Sequence, residues 1–584
     1  MCSIAAVSAA GSKAPAGSAA ASAVCSLLEN MTYRGYDSIG MAASDGIITK
    51  TYKTLGTDFE KIRVADGMRV ASAIGQTRWA THGSNTLVNA NPQVSLDEND
   101  MPAVSAVMNG IISNYDDIRQ DLQSSFEFAS ENDTEAAAHA ANLSNFDMQK
   151  TTRLLSGRYT CIAMSRGGRI GFIRGGPSLI TGMYHDENGV GMRCLASDIH
   201  AMAAIGITRI AVIPAGSFGY ASASGISVFD IQTGRALRLS YEDIPLPRAT
   251  QKPPGGITEA ELGEAANIAS VGAAGLADST TYAIKKAASI IKSAQSQRVV
   301  FCGSGSSFHM ASLGACLLSG SSAKPACELI CEDVDVAGDG LNDVMVAISQ
   351  SGESGDILQA VESARHSTKS VISITNNPYS TLASMSDVTL EMGCGPEQGV
   401  AATKSVISTA LILQRLLDDS VMSAVRFSDA VSESSLDKAA VLVAKSTDVY
   451  MLGSGIYYVP AMEGALKLKE LAYLHAEACF AGEFKHGPLA VLESKNIVII
   501  IDPNGRHADL SDEIRARGGR TILLSRTKAY KSDLWIKLEP VTEGGIHGHV
   551  LQCILAVQAI AIKAARIAGM PVDRPRHLAK CVSV

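Results

Sequence analysis

Three groups of residues have types and spacings suited to chemistry. The first is Cys2, directly behind Met1. Removal of Met1 would leave a cysteine carrying its own α-amino group. An α-amine titrates near ~7.7–8.0 and a thiol near ~8.5. A strong nucleophile and a base then share one residue, with no histidine required. Taken alone, Cys2 is an ordinary second-residue cysteine. The second group is Ser349-Gln350-Ser351-Gly352-Glu353-Ser354-Gly355-Asp356, which closes an apolar run and opens a helix. Small hydroxyls and backbone N–H groups at a helix N-terminus hold anions. No lysine of the Walker type follows, so a monophosphate is implied rather than a nucleotide. Gly305-Ser306-Ser307-Phe308-His309 offers a second hydroxyl pair. Either loop alone reads equally as a turn. The third group is Glu463, Lys467 and Glu470, which share one helix face at i, i+4, i+7. The default reading of such a pattern is a solvated ion-pair stripe.

These residues need elements to position them. At 584 residues and ~100–200 residues per domain, three or four domains are expected. Hydrophobic residues make up 46% and charged residues 18%, which excludes a disordered chain. The net charge of −8, with no long basic block, argues against a nucleic-acid partner. Up to about residue 240, short apolar runs alternate with Gly, Asn and Asp. Ile47–Tyr52, Arg69–Ile74, Ala103–Met108, Tyr159–Met164 and Arg209–Ile213 read as strands, and Asp133–Leu143 as a helix. Ile244–Gly256 holds four prolines and is the linker candidate. Beyond it, helical stretches (Thr258–Ala274, Thr280–Gln295) alternate with β-branched runs (Arg298–Cys302, Val344–Ser349, Ser370–Thr375). That alternation predicts parallel sheets with flanking helices. The run ending Gly303-Ser304-Gly305 returns 150 residues later as the run ending Gly453-Ser454-Gly455. Two related α/β domains in tandem are therefore expected.

The 12 cysteines are scattered and form no CxxC pair, which points to a reducing compartment. Cys327 and Cys331 read as buried thiols on a helix or strand, not as metal ligands. The apolar start lacks a basic region and is interrupted by Lys13, so no targeting segment is expected. Leu551–Met570 is apolar but carries Gln552, Gln558, Lys563 and Arg566, which suits a core helix rather than a membrane span. The closing Cys581-Val582-Ser583-Val584 mimics a prenylation box by chance.

In the amino-terminal part, Tyr33-Arg-Gly-Tyr-Asp-Ser-Ile-Gly is followed by Thr77-Arg-Trp-Ala-Thr-His-Gly. Asn109-Gly110 and Ser130-Glu-Asn-Asp-Thr-Glu come next. Together with Cys2 these resemble the class II glutamine amidotransferase domain, an α+β N-terminal-nucleophile fold, over roughly residues 2–240. The resemblance implies that Cys2 is the nucleophile and that Arg78 grips the glutamine carboxylate, a task suited to a bidentate fork. It further implies that Asp133 holds the α-ammonium, that the Asn109 amide and Gly110 N–H form an oxyanion hole, and that Trp79 gates the site on a loop shared with Thr81 and His82. Plainer readings exist for each residue. Asn-Gly is a common hairpin turn, Arg78 could be a surface charge, Asp133 could cap its helix, and Trp79 could be core. Ser3, Gln76 and Met108 depart from the family's usual Gly, His and His, and these departures bear on rate.

The serine loops, with Gly399-Val-Ala-Ala-Thr-Lys, resemble the sugar-isomerase (SIS) domain, whose members bind phosphorylated sugars. The resemblance implies phosphate contacts at Ser306, Ser307, Ser349, Gln350, Ser351 and Ser354, and a sugar contact at Val400. Ala402 replaces the usual Ser. In the second copy Asp502-Pro-Asn-Gly stands where the serine loop belongs, so phosphate binding there is expected to be lost. That copy instead carries Glu463-Gly-Ala-Leu-Lys-Leu-Lys-Glu and Gly482-Glu-Phe-Lys-His-Gly-Pro, and the chain closes on Pro571-Val-Asp-Arg-Pro-Arg-His-Leu-Ala-Lys-Cys. A frayed tail is the default for such an end. The combination resembles the glucosamine-6-phosphate synthase family, the isomerizing glutamine–fructose-6-phosphate aminotransferases, over nearly the whole chain.

That resemblance implies a layout: a glutaminase domain over 2–240, a linker over 241–262, SIS domains over 263–430 and 440–570, and a tail over 571–584 in the sugar site. It implies conversion of fructose 6-phosphate and glutamine to glucosamine 6-phosphate and glutamate, the opening step of amino-sugar synthesis. In that mechanism Cys2 forms a thioester and releases ammonia, which crosses inside the protein to the sugar. His486, donated by the neighbouring subunit of a homodimer, assists ring opening. Lys580 forms a Schiff base, Glu470 moves a proton between C1 and C2, and Lys467 places or balances that carboxylate. No metal or organic cofactor, nucleic acid or membrane is called for, and the expected location is the cytoplasm. The rival readings are a phosphosugar sensor that has lost activity and an amidotransferase acting on another phosphosugar.

Overall fold

The computed structural model describes residues 2–9, 18–64, 68–80, 83–244, 256–293, 298–321, 325–334, 343–366, 368–418, 432–528, 530–539 and 545–581. By contacts the chain divides into Met1–Thr250 with Ala579–Val584, and Gln251–Leu578. Most of the expected Pro-rich linker, residues 245–255, lies outside the described residues.

The amino-terminal unit pairs an eight-stranded sheet with a seven-stranded one, both antiparallel. Ser3–Ser8 runs inside the first, between Ser72–Arg78 and Gly191–Ala196. Pro102–Ile112 pairs with Gly157–Ser165 in the second. Period-2 alternation sorts each strand's side chains. Ile4, Ala6 and Ile74 of one sheet share a buried cluster with Val107, Ile162 and Phe172 of the other. The opposite faces go to helices. Ala106 and Met108 pack with Ala136, Ala137 and Ala140 of the helix Asp133–Leu143. Helix Ala19–Glu29 closes so tightly over the first sheet that a Cβ on Gly75 would lie 2.7 Å from Leu28 and 2.8 Å from Val24. The result is helix–sheet–sheet–helix layering.

Helix Asp133–Leu143 has the bounds read from the sequence. The strand read as Ile47–Tyr52 is instead Thr49–Leu55. Ile47 and Ile48 belong to the preceding turn, where both backbone N–H groups donate to Asp45 Oδ1 at 2.8 Å.

The carboxy-terminal unit carries two five-stranded parallel sheets. Val299–Gly303, Ala326–Ile330, Asp343–Ile348, Thr368–Thr375 and Val388–Glu391 lie in spatial order second, first, third, fourth, fifth. Asp448–Gly453, His475–Phe480, Ile497–Ile501, Arg520–Ser525 and Leu534–Lys537 repeat that order, as the sequence repeat requires. The central strands are buried on both faces: Val299, Phe301 and Val346 on one side, Cys302, Met345 and Ala347 on the other. One continuous core runs through both copies and includes Val299 and Leu411 of the first with Ile499 and Leu551 of the second. Among the described residues one helix is long and apolar enough to cross a membrane. It lies within Gly545–Ile567, and 83% of its most apolar stretch is buried inside the unit, a core helix as expected.

In both sheets the chain leaves the first strand toward one edge and returns to build toward the other. The crevice where the order reverses, outside the carboxyl ends of the first and third strands, is where such sheets bind ligands. In the first copy those ends carry Ser304–Ser307 and Ser349–Ser354.

Candidate active sites

In the amino-terminal unit, strand parity gathers the expected residues. Cys2, Ile4 and Ala6 alternate on the inter-sheet side, as do Ile74, Gln76 and Arg78, and Val107 and Asn109. The Cys2 end of its strand lies beside the Arg78 end of the next, with Ser3 opposite Thr77. Trp79 N–H donates to Cys2 Sγ at 3.4 Å. Arg78 is 3% exposed, not a surface charge. Burial pushes its guanidinium pKa down, while Cys2, Asp37 and Asp133 work to raise it. Its Nη2 donates to the Gly83 carbonyl at 3.4 Å.

The Tyr33–Gly40 motif braces this corner. Arg34 Nη1 donates to Ser197 O at 2.8 Å and pairs with Asp198 at 3.2 Å. Gly35 passes so close to the next strand that a Cβ would meet Arg78 C at 2.8 Å. Asp37 accepts from Ala80 N–H at 2.8 Å and donates its own N–H to Arg78 O at 3.0 Å. Half-buried Trp79 sits edge-on to Tyr36 at 5.2 Å. Thr81 and His82 lie outside the described residues.

Asn109 and Gly110 are not in a hairpin turn; both sit within the strand Pro102–Ile112. Gly110 has φ +101°, and a Cβ there would lie 2.1 Å from Arg158 O, so only glycine fits. Asn109 is fully buried, and its Nδ2 and Oδ1 have no partner among the described residues. A buried amide without a partner is costly unless something else is to bond it. Asp133 does not cap its helix. Asn132 does, accepting from Thr134 N–H at 3.0 Å. Asp133 Oδ2 instead accepts from Ile112 N–H at 3.1 Å, two residues beyond Gly110.

Sequence reasoning gave Gln76 no positive part, yet it joins the two sheets. Its amide pairs with both backbone polar groups of Met108, at 2.8 and 2.9 Å. Two positions that depart from the resembled pattern are thus bonded to each other.

In the carboxy-terminal unit the phosphate-loop candidates have tight, glycine-dependent geometry. A Cβ on Gly303 would lie 2.6 Å from Ser307 backbone, and one on Gly352 would lie 2.1 Å from Ser380 Oγ. Ser349 Oγ accepts from Gly352 N–H and Ser351 Oγ from Glu353 N–H, both at 3.1 Å. Ser306 and Ser307 open the helix Ser306–Ser321, and Ser354 precedes the helix Gly355–Ala364. Gln350 is half-buried between them in sequence.

The solvated stripe expected at Glu463, Lys467 and Glu470 is not solvated. Glu463 is fully buried and Lys467 is 1% exposed. Glu470 lies in a π-helical turn, Leu468–Ala472, that follows the helix Tyr458–Lys467. Lys467 Nζ donates to Ser306 Oγ at 3.0 Å and to Glu470 Oε2 at 2.7 Å, and lies 3.5 Å from Glu463 Oε1. Glu463 also meets His309 Nδ1 at 2.8 Å and Gln558 Nε2 at 3.2 Å. Burial works to raise the Glu463 pKa, but Lys467, His309 and Gln558 outweigh it and hold it at about 2. Burial would lower Lys467, and Glu463 with Glu470 raises it above its ordinary value. A lysine from the second copy therefore bridges the serine loop of the first to a carboxylate of its own.

His309 and Gln558 were missed as site residues. His309 follows Ser306 by three positions on one helix face, a usable signal. Gln558 stood out only as a polar residue in an apolar helix. His486 is exposed on a short 3-10 turn, Phe484–His486. Val400 is half-buried, and its N–H reaches Asp573 O at 3.4 Å. The start of the tail is not frayed. The Asp573 carboxylate accepts from Ile257 N–H at 3.1 Å and from Thr258 N–H and Oγ1 at 2.8 Å, capping the unit's first helix, Ile257–Val271. Arg576 N–H donates to Tyr473 Oη at 2.7 Å, and its guanidinium stacks 4.5 Å from that ring. Half-buried Lys580 belongs to the amino-terminal unit, not to the one carrying Glu470 and His486.

The fold and these sites define a glutamine amidotransferase domain followed by two SIS domains. Residues 85–204 match the glutamine amidotransferase domain family, and 292–417 and 442–554 match the SIS domain family. The chain is 33% identical to a glutamine–fructose-6-phosphate aminotransferase (isomerizing) of Sulfolobus acidocaldarius, over 96% of this chain and 97% of that protein. It is 32% identical to the same enzyme of Sulfurisphaera tokodaii, over 96% of each. Among solved structures, the C-terminal domain of the aminotransferase of Francisella tularensis matches 56% of this chain and all of that one, at 24% identity and TM-score 0.47. The chain belongs to the glutamine–fructose-6-phosphate aminotransferase (isomerizing) family.

Proposed function

We propose that the protein converts fructose 6-phosphate and glutamine to glucosamine 6-phosphate and glutamate. The observation that carries this reading is the Ser306–Lys467–Glu470 chain, centred on the buried Lys467. It sets a carboxylate able to move protons beside a loop built for a phosphate, as a ketose-phosphate isomerisation requires.

At the amino-terminal site Cys2, once Met1 is removed, attacks the glutamine side-chain carbonyl. The Asn109 amide and Gly110 N–H take the developing oxyanion. Ammonia leaves, and water hydrolyses the thioester to glutamate. Arg78 and Asp133 hold the glutamine carboxylate and ammonium, Trp79 gates the site, and Thr81 and His82 are assigned to glutamine binding. The buried, unpartnered amide of Asn109 supports this assignment.

At the sugar site Ser306, Ser307, Ser349, Gln350, Ser351 and Ser354 bind the phosphate, and Val400 touches the sugar. His486 assists ring opening, Lys580 forms the imine with the open ketose, and Glu470 moves the proton between C1 and C2. Lys467, held protonated by its neighbours, fixes Glu470. His486 comes from the neighbouring subunit of a homodimer. Its exposure, with Phe480 at 48% and Val491 at 60% exposed nearby in sequence, supports a covered face there. The proposed reaction calls for no cofactor, and we assign it to the cytoplasm. The test is an assay with glutamine and fructose 6-phosphate in which product sugar and glutamate are both quantified. Equal amounts are expected; glutamate without amino sugar would overturn the reading.

A further inference from the structure

The second SIS copy has a crevice at its own reversal of strand order, and the sugar reaction does not use it. A cavity of about 870 Å³ opens where Gly453–Tyr457 and Ile501–His507 meet. Its floor is apolar: Leu317, Leu417, Ile456 and the Tyr457 ring. Its rim is polar. Ser454 Oγ and His507 Nε2 are 2.8 Å apart. Arg506 is exposed, and among the described residues its guanidinium has no hydrogen-bond or ion-pair partner. His507 immediately precedes the nine-residue helix Ala508–Ala516.

Two acids, Asp502 and Asp418, also line the cavity. Asp502 Oδ2 is already bonded by His507 N–H at 2.8 Å and Tyr530 Oη at 2.9 Å, so it shapes the loop. Arg526 backs the same loop, donating to Pro503 O at 3.1 Å and Asn504 Oδ1 at 3.3 Å. The serine loop is gone, as the sequence indicated, but an arginine, a histidine and a serine stand around the vacated crevice.

We infer that this cavity is a second small-molecule site, for a phosphomonoester whose body is apolar enough to lie on the Leu317–Leu417–Ile456–Tyr457 floor. The phosphate meets Arg506, Ser454 and the His507 end of the helix, in the position that the strand order makes equivalent to the serine loops. The ligand differs in kind from that of the first copy. A guanidinium replaces hydroxyls as anion partner, and the apolar floor has room for a body without hydroxyls.

A local reporter is built in. Cys316 lines the cavity and is the exposed thiol among the described cysteines. The experiment is the rate of Cys316 alkylation in the full-length protein, read by mass spectrometry, with and without phenyl phosphate. Phenyl phosphate should slow alkylation in the wild type and equally in the Ser349→Ala/Ser351→Ala double variant. Arg506→Gln, at an exposed position, should raise the concentration needed by about tenfold or more, the loss of one charge-assisted hydrogen bond. Inorganic phosphate should protect more weakly than phenyl phosphate. Absence of protection, protection untouched by Arg506→Gln, or protection lost in the double variant would each overturn the assignment.

Discussion

The side-chain amide of Gln76 closes two hydrogen bonds on the backbone of Met108, Nε2 to the carbonyl at 2.8 Å and Oε1 from the N–H at 2.9 Å. Two residues beyond Gln76 is Arg78; one beyond Met108 is Asn109. The clamp sets the spacing between the Arg78 guanidinium and the Asn109 amide, which lie on different sheets. Gln76→Leu should leave two buried backbone groups unpaired, at about 1–3 kcal/mol for each such group. Glutaminase kcat should fall more than the glutamine KM rises, because oxyanion stabilisation matters most in the transition state. An unchanged kcat would mean that the clamp is only architectural.

Cys2→Ala should abolish glutamine hydrolysis. Asn109→Ala should lower kcat by about 10²–10³, the cost of one oxyanion donor, with little change in glutamine KM. Steady-state kinetics on both variants checks the pair. Residual hydrolysis in the Cys2 variant would exclude it as the nucleophile.

Ser351→Ala should weaken fructose 6-phosphate binding by about 1.5–3 kcal/mol, one hydrogen bond to a charged group. Calorimetric titration would show it, and an unaltered Kd would move the phosphate elsewhere.

Buried Glu463 ties stability to pH in a definite direction. Its folded pKa of about 2 lies below the ordinary 4.5. Its contribution is therefore complete above about pH 4.5 and disappears as pH falls toward 2. Lys467 is shifted upward, so its contribution is complete below its ordinary 10.5 and fades only on more alkaline titration. Glu463→Leu should cost about 3–5 kcal/mol at neutral pH by stranding a buried charge. Thermal melts from pH 2 to 7 should show a flatter acid limb in that variant. An identical limb would place the acid sensitivity at other carboxylates.

Lys580→Arg should stop amino-sugar formation while glutamine hydrolysis persists, since guanidinium stays protonated and forms no imine. Borohydride with fructose 6-phosphate should label Lys580 in the wild type, as mapped by peptide mass spectrometry. Synthesis at near wild-type rate in the Arg variant would remove the imine from the mechanism.

Local pattern carried much of the fold. Asp133–Leu143 was readable because its helix signals are contiguous, and the repeat because Gly-Ser-Gly recurs after an apolar run. The motif residues were legible as types. What pattern could not reveal was who meets whom across long separations. The i, i+4, i+7 spacing of Glu463, Lys467 and Glu470 is the same for a wet face as for a dry one. Burial came from packing against Gln558 and His309, each about a hundred residues or more away in sequence. The pairing of Gln76 with Met108 needed the two sheets to be stacked first. The Asp573 cap needed the chain to return across 315 residues.

That last contact bears on how the protein is made. Translation delivers Thr258, at the start of Ile257–Val271, 315 residues before Asp573. The first helix of the carboxy-terminal unit thus waits uncapped while the rest of its own domain pair emerges. The amino-terminal unit likewise receives Ala579–Cys581 only after the whole of the carboxy-terminal unit has been made. Neither unit is complete until the segment around Asp573–Cys581 has been made, although domains generally begin folding in order of synthesis. A nascent chain stalled before Asp573 should be more open to proteolysis at the start of that helix than the released protein. Codon changes around Asp573 should then act on folding yield as well as on catalysis.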